Sequence, residues 1–148
     1  MKKNVKVSLL DSLDLDILRF LEEDCTLTYQ DIADRLNKNL WTVRDRITLL
    51  KNRGVIKKCK GILDYSLMGY DCKGILLCNI PSDHIEEAIQ FMKSQEEIKS
   101  ITIITGDKRF IVTIVGKKCN DIRNYIRRNF TKFEIYNTEL NIVLEEPL

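Results

Sequence analysis

The segment LTYQDIADRLNKNLWTVRDRITLLKNRGVIKK, Leu27 to Lys58, decides how the first half of the chain folds. Tyr29, Ile32, Ala33 and Leu36 recur at i, i+3, i+4 and i+7, which places them on one helical face. Thr28 and Asp31 have the spacing of a capping box, with Asp in place of the usual Glu. The run NKN then breaks the pattern, and Asn39 is positioned to cap the next helix. In that helix Leu40, Val43, Ile47 and Leu50 share a face, and Gly54 suits its C-terminal end. Upstream, Leu13, Ile17, Phe20 and Leu21 predict a further helix, capped by Asp11 or Ser12. Two of these helices joined by a turn of three or four residues, with a third before them, make a helix-turn-helix pattern. An ordinary helical hairpin uses the same stripes, so the outer face of the third helix must separate the two readings.

That face is strongly charged. From Arg35 to Lys60 there are nine Lys/Arg against the single acid Asp45, a net of +8. From Asp11 to Asp34 there are eight Asp/Glu against Arg19 alone, a net of −7. An asymmetry of this kind indicates that one element faces something anionic. At about 100° per residue, Trp41, Arg44, Asp45, Thr48, Lys51 and Asn52 fall opposite the apolar stripe, flanked by Thr42, Arg46 and Arg53. Arg can bond guanine bidentately, and the Thr methyl can touch that of thymine. Lys51, Arg53, Lys57, Lys58 and Lys60 suit phosphates, which position a protein without specifying sequence. With the two capping residues included, the candidate DNA-binding set is Thr28, Asn39, Trp41, Thr42, Arg44, Asp45, Arg46, Thr48 and Lys51.

After VIKKCKGIL the period changes. Four stretches rich in β-branched and apolar residues follow: GILLCNI, SITIITG, RFIVTIVG and EIYNTELNIVL. The second and third are separated by a few residues around Gly106 and should form a hairpin. Between the first pair, Ile85, Ala88, Ile89 and Met92 have helical spacing; between the last pair, Ile122, Tyr125 and Ile126 do, with Asn120 as the expected cap. The order βαββαβ is the ferredoxin-like plan, an antiparallel sheet with both helices on one face. The expected class is therefore α+β, with a helix-turn-helix domain over 1–54, a connecting strand or hinge over 55–66 and a ferredoxin-like domain over 67–148. In EIYNTELNIVL, Tyr136, Thr138, Leu140, Ile142 and Leu144 alternate onto one side, with Ile135 and Val143 adding apolar groups to the other. Both sheet faces would then carry apolar material, and the open one is most economically covered by a second copy of the chain.

With 148 residues, 44% apolar and 31% charged, the composition is that of a soluble folded protein of one medium or two small domains. No apolar run approaches the roughly 18 residues of a membrane span. MKKNVKVSLLDSLD is basic, but its apolar patch is too short for a signal peptide, so a cytoplasmic location is expected. The five cysteines are odd in number with no CxxC pair, and are expected to be small, mostly buried apolar residues. With His84 the lone histidine, in the first turn of a helix, neither a metal site nor a general base is expected.

The stretches LDSLDLDILRFLEED, the Leu27–Lys58 segment and LDYSLMGY together resemble the DNA-binding half of the Lrp/AsnC, or feast/famine, regulators. The second half resembles their regulatory RAM domain, with TGDKRFIVTIV at the effector loop. The resemblance runs from Leu10 to Glu146, and its most specific parts are the Leu-Asp-x-x-Asp opening, Ala33 to Arg46, and Gly54-Val55-Ile56. It implies a sequence-specific transcriptional regulator of double-stranded DNA, without catalytic residues, metal or cofactor, that forms a homodimer or octamer through its C-terminal domain. It also implies that small-molecule effectors bind between such domains. Thr42, Val43 and Arg46 match the family's Thr, Val and Arg, and Gly106, Asp107, Arg109 and Thr138 are the candidate effector-binding residues. Arg109 stands where the family loop typically carries a second acid, and Leu140 where a second Thr is common. An arginine cannot neutralise an ammonium group, which disfavours an amino-acid effector and favours an anionic one or none. Lys38 and Thr26 also depart from the pattern, the first at an apolar turn position and the second at a commonly basic one.

Two other functions fit the same fold. Sirohaem decarboxylases resemble this family in both halves, yet KKCKGILDYSLMGY lacks the histidine such subunits have there. A scaffold whose basic helix binds acidic proteins instead of DNA is the other, to be separated by salt dependence and by competition with duplex.

Overall fold

A computed structural model describes residues 10–147, so the N-terminal part of the leader reading, and the start of the 1–54 domain, lie outside the described residues. The chain divides into two compact units, Met1–Ile62 and Leu63–Leu148. The first contains α1 (Ser12–Glu23), α2 (Tyr29–Leu36) and α3 (Leu40–Asn52), and no strand among its described residues. Its capping pattern follows the sequence. Asp11 caps α1, its side chain accepting the Asp14 N–H while Asp14 accepts that of Asp11. Thr28 and Asp31 do the same for α2, and Asn39 accepts the Trp41 N–H at 2.7 Å to start α3. Asn37, at φ 50°, ends α2 in the left-handed conformation that asparagine tolerates, and this sets the turn into α3. Gly54, at φ 75°, turns the chain after α3, where Val55 and Ile56 both donate to the Leu50 carbonyl. Ile17, Ile32, Ala33, Val43, Ile47 and Leu50 form the core. Tyr29 leaves the expected stripe and is exposed, because it sits in the first turn of α2, beyond the packed surface.

The second unit has β1 (Cys72–Asn79), α4 (Ile85–Lys93), β2 (Ile98–Ile103), β3 (Phe110–Gly116), α5 (Cys119–Phe130) and β4 (Tyr136–Ile142). The strands pair antiparallel in the order β2-β3-β1-β4, the expected βαββαβ topology. Ala88 and Met92 of α4, with Ile122 and Phe130 of α5, pack on Leu76, Cys78, Phe110, Val112 and Ile114. Gly116 lets α5 come close: a Cβ there would lie 2.8 Å from Ile122 Cγ1. Helix α5 begins at Cys119 rather than after Asn120, since the Asp121 carboxylate accepts the Lys118 N–H and so fixes the first turn two residues earlier.

One expectation is corrected, that of the cysteines, and two are made specific. Within the connecting strand or hinge expected over 55–66, residues 57–64 have no regular secondary structure. Both sheet faces carry apolar groups: on β4, Leu140 and Ile142 face the helices and pack against the core. On the opposite face β4 supplies Glu139 and Asn141, and the apolar centre there comes from Ile75, Leu77 and Ile111. Finally, four cysteines form disulfides, Cys25–Cys59 and Cys72–Cys119, leaving Cys78 free and buried with its thiol pushed up to about 11 by desolvation. The pairs lie 34 and 47 residues apart, so neither local spacing nor an odd count could signal them.

Each disulfide restricts the unfolded chain according to the loop it closes. For separations of 34 and 47 residues the loss on reduction is about 3–4 kcal/mol per bond. Denaturant unfolding with and without a thiol reductant, and of Cys59→Ser, should show this as a lowered midpoint.

Candidate nucleic-acid interface

The outer surface of α3 is held in place by one charge cluster. The Arg46 guanidinium bonds Asp11 through Nη1 and reaches Asp14 Oδ1 at 3.2 Å, so both members of the α1 capping box also grip α3. The hydrogen bond from Arg46 holds the Asp11 carboxyl below its ordinary value, and the same bond raises Arg46. Asp14 is 6% exposed, so Arg46 also supplies the counter-charge to a nearly enclosed carboxylate. Of the predicted reading residues, Arg46 is therefore drawn into the domain, although its residue type and position gave no sign of it beyond a flank assignment.

The others project outward. Trp41 is 60% exposed, and Thr42, Arg44, Asp45, Thr48 and Lys51 are exposed as well. The Arg44 guanidinium lies over the Trp41 ring, 5.2 Å from its centroid, which explains how so large a side chain is accommodated on this surface. Thr48 Oγ1 donates to the Arg44 carbonyl at 2.9 Å. Thr28 and Asn39 stand at the N-termini of α2 and α3, their side-chain oxygens engaged as caps. The N-terminal amides beside them face the direction from which an anion is attracted. Leu49, 42% exposed at the edge of this surface, was missed, since it belongs to neither the apolar stripe nor the charged face. So was the tie from Cys25 to Cys59, which pins the segment bearing Lys57, Lys58 and Lys60 to the α1–α2 loop. Beside it, Leu21, Leu27, Ile47 and Ile56 floor a hollow of about 410 Å³ edged by Lys51 and Lys57.

In the second unit Gly106 (φ 112°), Asp107 and Arg109 lie in the exposed β2–β3 loop. Asn79 braces it from beneath: its amide donates to the Asp107 carbonyl at 2.5 Å, and its oxygen accepts the Arg109 N–H at 2.9 Å. Thr138 is not brought into this loop. It lines a separate hollow of about 350 Å³ with Ile126, Arg127, Thr131, Glu134 and Ile135. Among the described residues no group of three or more His, Cys, Asp or Glu could hold a metal ion, and no helix is long and apolar enough to cross a membrane.

Known proteins give this geometry its class. Residues 10–57 match the family described as winged helix-turn-helix DNA-binding. Over 119 residues the chain is 32% identical to PH0061 of Pyrococcus horikoshii, described as an uncharacterized HTH-type transcriptional regulator, covering 79% of this chain and 80% of that one. The crystal structure of PH0061 matches with a TM-score of 0.82 over 94% of this chain and 95% of that one, at 27% identity. Two further solved structures share the fold at lower identity. E. coli AsnC has a TM-score of 0.77 at 21% identity, covering 94% of this chain and 95% of that one. The L-Met complex of the regulator NMB0573 from Neisseria meningitidis has 0.83 at 18%, covering 94% and 92%. The protein is thus a DNA-binding transcriptional regulator of the helix-turn-helix type. Within that class, the chain belongs to the Lrp/AsnC family.

Replacing Arg46 by Ala should lower the thermal midpoint at neutral pH without changing which DNA sequences are preferred. The Asp11 contribution is present above its ordinary 3.8 and disappears as pH falls through the lowered folded value. The midpoint gap between wild type and variant should therefore narrow in that acid range; a constant gap, measured by circular dichroism melts, would contradict the ion pair.

Proposed function

We propose that α3 enters the major groove and reads base edges with Trp41, Thr42, Arg44, Asp45 and Thr48, while Lys51 and the caps Thr28 and Asn39 meet phosphates. The observation that carries this reading is the outward cluster of Arg44, Trp41 and Thr48 on a helix whose remaining arginine, Arg46, is anchored inward. Stacking on Trp41 limits the positions open to Arg44 before any DNA arrives, which lowers the ordering cost of a bidentate bond to guanine. Arg46, by contrast, supports the helix instead of reading DNA.

The protein acts in the cytoplasm as a regulator and not as an enzyme. The descriptions of its relatives as transcriptional regulators support this. It works as a homodimer joined through the open sheet face around Ile75, Leu77 and Ile111, a face with an apolar centre and a polar rim of Ser100, Thr102, Thr113, Glu139 and Asn141. Two recognition helices then meet two half-sites. The β2–β3 loop with Gly106, Asp107 and Arg109 receives an effector; one structural neighbour, NMB0573, was solved as an L-Met complex. Here Arg109 favours an anionic ligand over an amino acid.

Selection of bound sites from random duplex should enrich a palindrome with half-sites about one helical turn apart, or a multiple of it; failure to enrich any sequence would defeat the reading. Arg44→Ala should weaken binding to that site by about 1–3 kcal/mol and relax the preference at one base position. In a double-mutant cycle, Trp41→Ala and Arg44→Ala should be coupled by about 0.5–1 kcal/mol. Additive losses in a filter-binding or fluorescence titration would show that the stack does not prepare the arginine.

A further inference from the structure

The second unit carries a charge separation of its own. From Lys117 to Lys132 there are six Lys/Arg against Asp121 alone, a net of +5. The rest of Leu63–Leu148 has five Lys/Arg against twelve Asp/Glu, a net of −7. These cations are not scattered. On α5, Ile122 and Phe130 are buried and Tyr125, Ile126 and Asn129 half-buried, whereas Asn120, Arg123, Asn124, Arg127 and Arg128 are exposed. At about 100° per residue those five form one continuous arc opposite the core, with the exposed Asp121 at its edge. We propose that this outer face of α5 is a second, sequence-independent contact for the phosphates of duplex DNA, separate from the recognition helix.

Three observations support it. First, among the described residues Arg123, Arg127 and Arg128 make no ion pair. The nearby acids are otherwise engaged: the Asp121 carboxylate accepts the Lys118 N–H at 3.1 Å, and that of Glu134 faces His84 Nε2 at 3.4 Å. Second, α4 in the same unit shows what an ordinary solvated helix looks like here, since Glu86, Glu87 and Lys93 mix both signs along it. Third, the composition of the arc selects the partner. Arginine forks and asparagine amides are the usual donors to phosphate oxygens. The arc contains no apolar anchor of the kind that centres a protein interface, and no aromatic on which an unpaired base could stack. Lys132, whose ammonium lies 3.9 Å from the Phe91 ring centroid, is held against apolar surface and is left out of the contact.

The inference rests on the DNA-binding character of the family and adds to the length of duplex the protein engages. The full chain with Arg123→Gln, Arg127→Gln and Arg128→Gln should be titrated against a long duplex over a range of salt, beside wild type and a triple Lys variant. Each lost phosphate contact lowers the slope of log affinity against log salt by about 0.9, so the Gln variant should lose about 2–3 from the wild-type slope. The Lys variant should keep most of it, and the ranking of DNA sequences should not change in either. A Gln variant with the wild-type slope, a Lys variant that falls equally far, or a changed base preference would each overturn the proposal. None of these results would touch the recognition-helix reading, which Arg44→Ala tests independently.

Discussion

The hold of Arg46 on Asp11 and Asp14 sets the rotation of α3, and the DNA-facing surface follows from that rotation. Val43, Ile47 and Leu50 alone would bury a stripe, but hydrophobic contact is non-directional and tolerates some roll of a short helix. A charged fork meeting two carboxylates is directional. Those carboxylates are themselves fixed, because Asp11 and Asp14 cap α1 reciprocally. One small network therefore sets the start of α1 and the facing of α3 together. With α3 held this way, Trp41, Arg44 and Thr48 cannot turn inward without breaking an ion pair beside a nearly buried aspartate. The arrangement also explains why the acids of this unit gather on α1 and α2: they support the basic helix from behind and leave its front positive.

The two units treat charge alike, although nothing in their topology requires it. In each, one helix is nearly cleared of acids while the acids collect elsewhere in the same unit. Such separation costs some stability, since like charges on one helix repel where i, i+4 pairs of opposite sign would have attracted. Arg123 and Arg127 are one such like-charged pair, and both are exposed. A cost of this kind is expected to persist where the field it produces is useful, and a polyanion is the partner that responds to field strength more than to shape. The two helices differ in what they add to charge. Helix α3 combines it with an aromatic ring and threonine methyls, groups that distinguish bases, whereas α5 adds only amides, which do not.

Most of the fold was legible because its signals are local. Caps at Asp11, Thr28 and Asn39, the stripes of α1 to α3, and the alternation of period between 3.6 and 2 all lie within a few residues of what they specify. What escaped the sequence was long-range. Cys25 and Cys59 are brought together by the fold of the whole first unit, and no spacing rule connects residues 34 apart. The role of Arg46 depends on α1 lying across it, a fact of tertiary packing that a helical wheel of α3 cannot contain. On β4, Leu140 and Ile142 keep the register read from their alternation, while Tyr136 lies beyond a register shift between Leu77 and Asn79 that no local pattern signals. The exposed residues of α3 were readable from periodicity alone, since outward groups are those the core does not claim.

The disulfides change how the second unit should be understood. Cys72 opens β1 and Cys119 opens α5, so their bond ties the start of the central strand to the helix that carries the basic arc. At the other end of β1, Asn79 is 9% exposed and holds the β2–β3 loop through two hydrogen bonds. The same carbonyl of Asp107 also accepts the amide of Asn137 on β4, at 3.3 Å. One strand is thus fastened covalently to α5 at its beginning and by hydrogen bonds to the effector-loop candidate at its end. A ligand that displaced the Asp107 carbonyl would leave the nearly buried Asn79 amide without a partner, at a cost that the ligand itself must offset with an acceptor. An anion, or the carboxylate of an amino acid, brings such an acceptor and would meet Arg109 in the same loop, whereas an ammonium group alone brings only donors. The buried amide beneath the loop therefore needs an acceptor wherever the backbone moves.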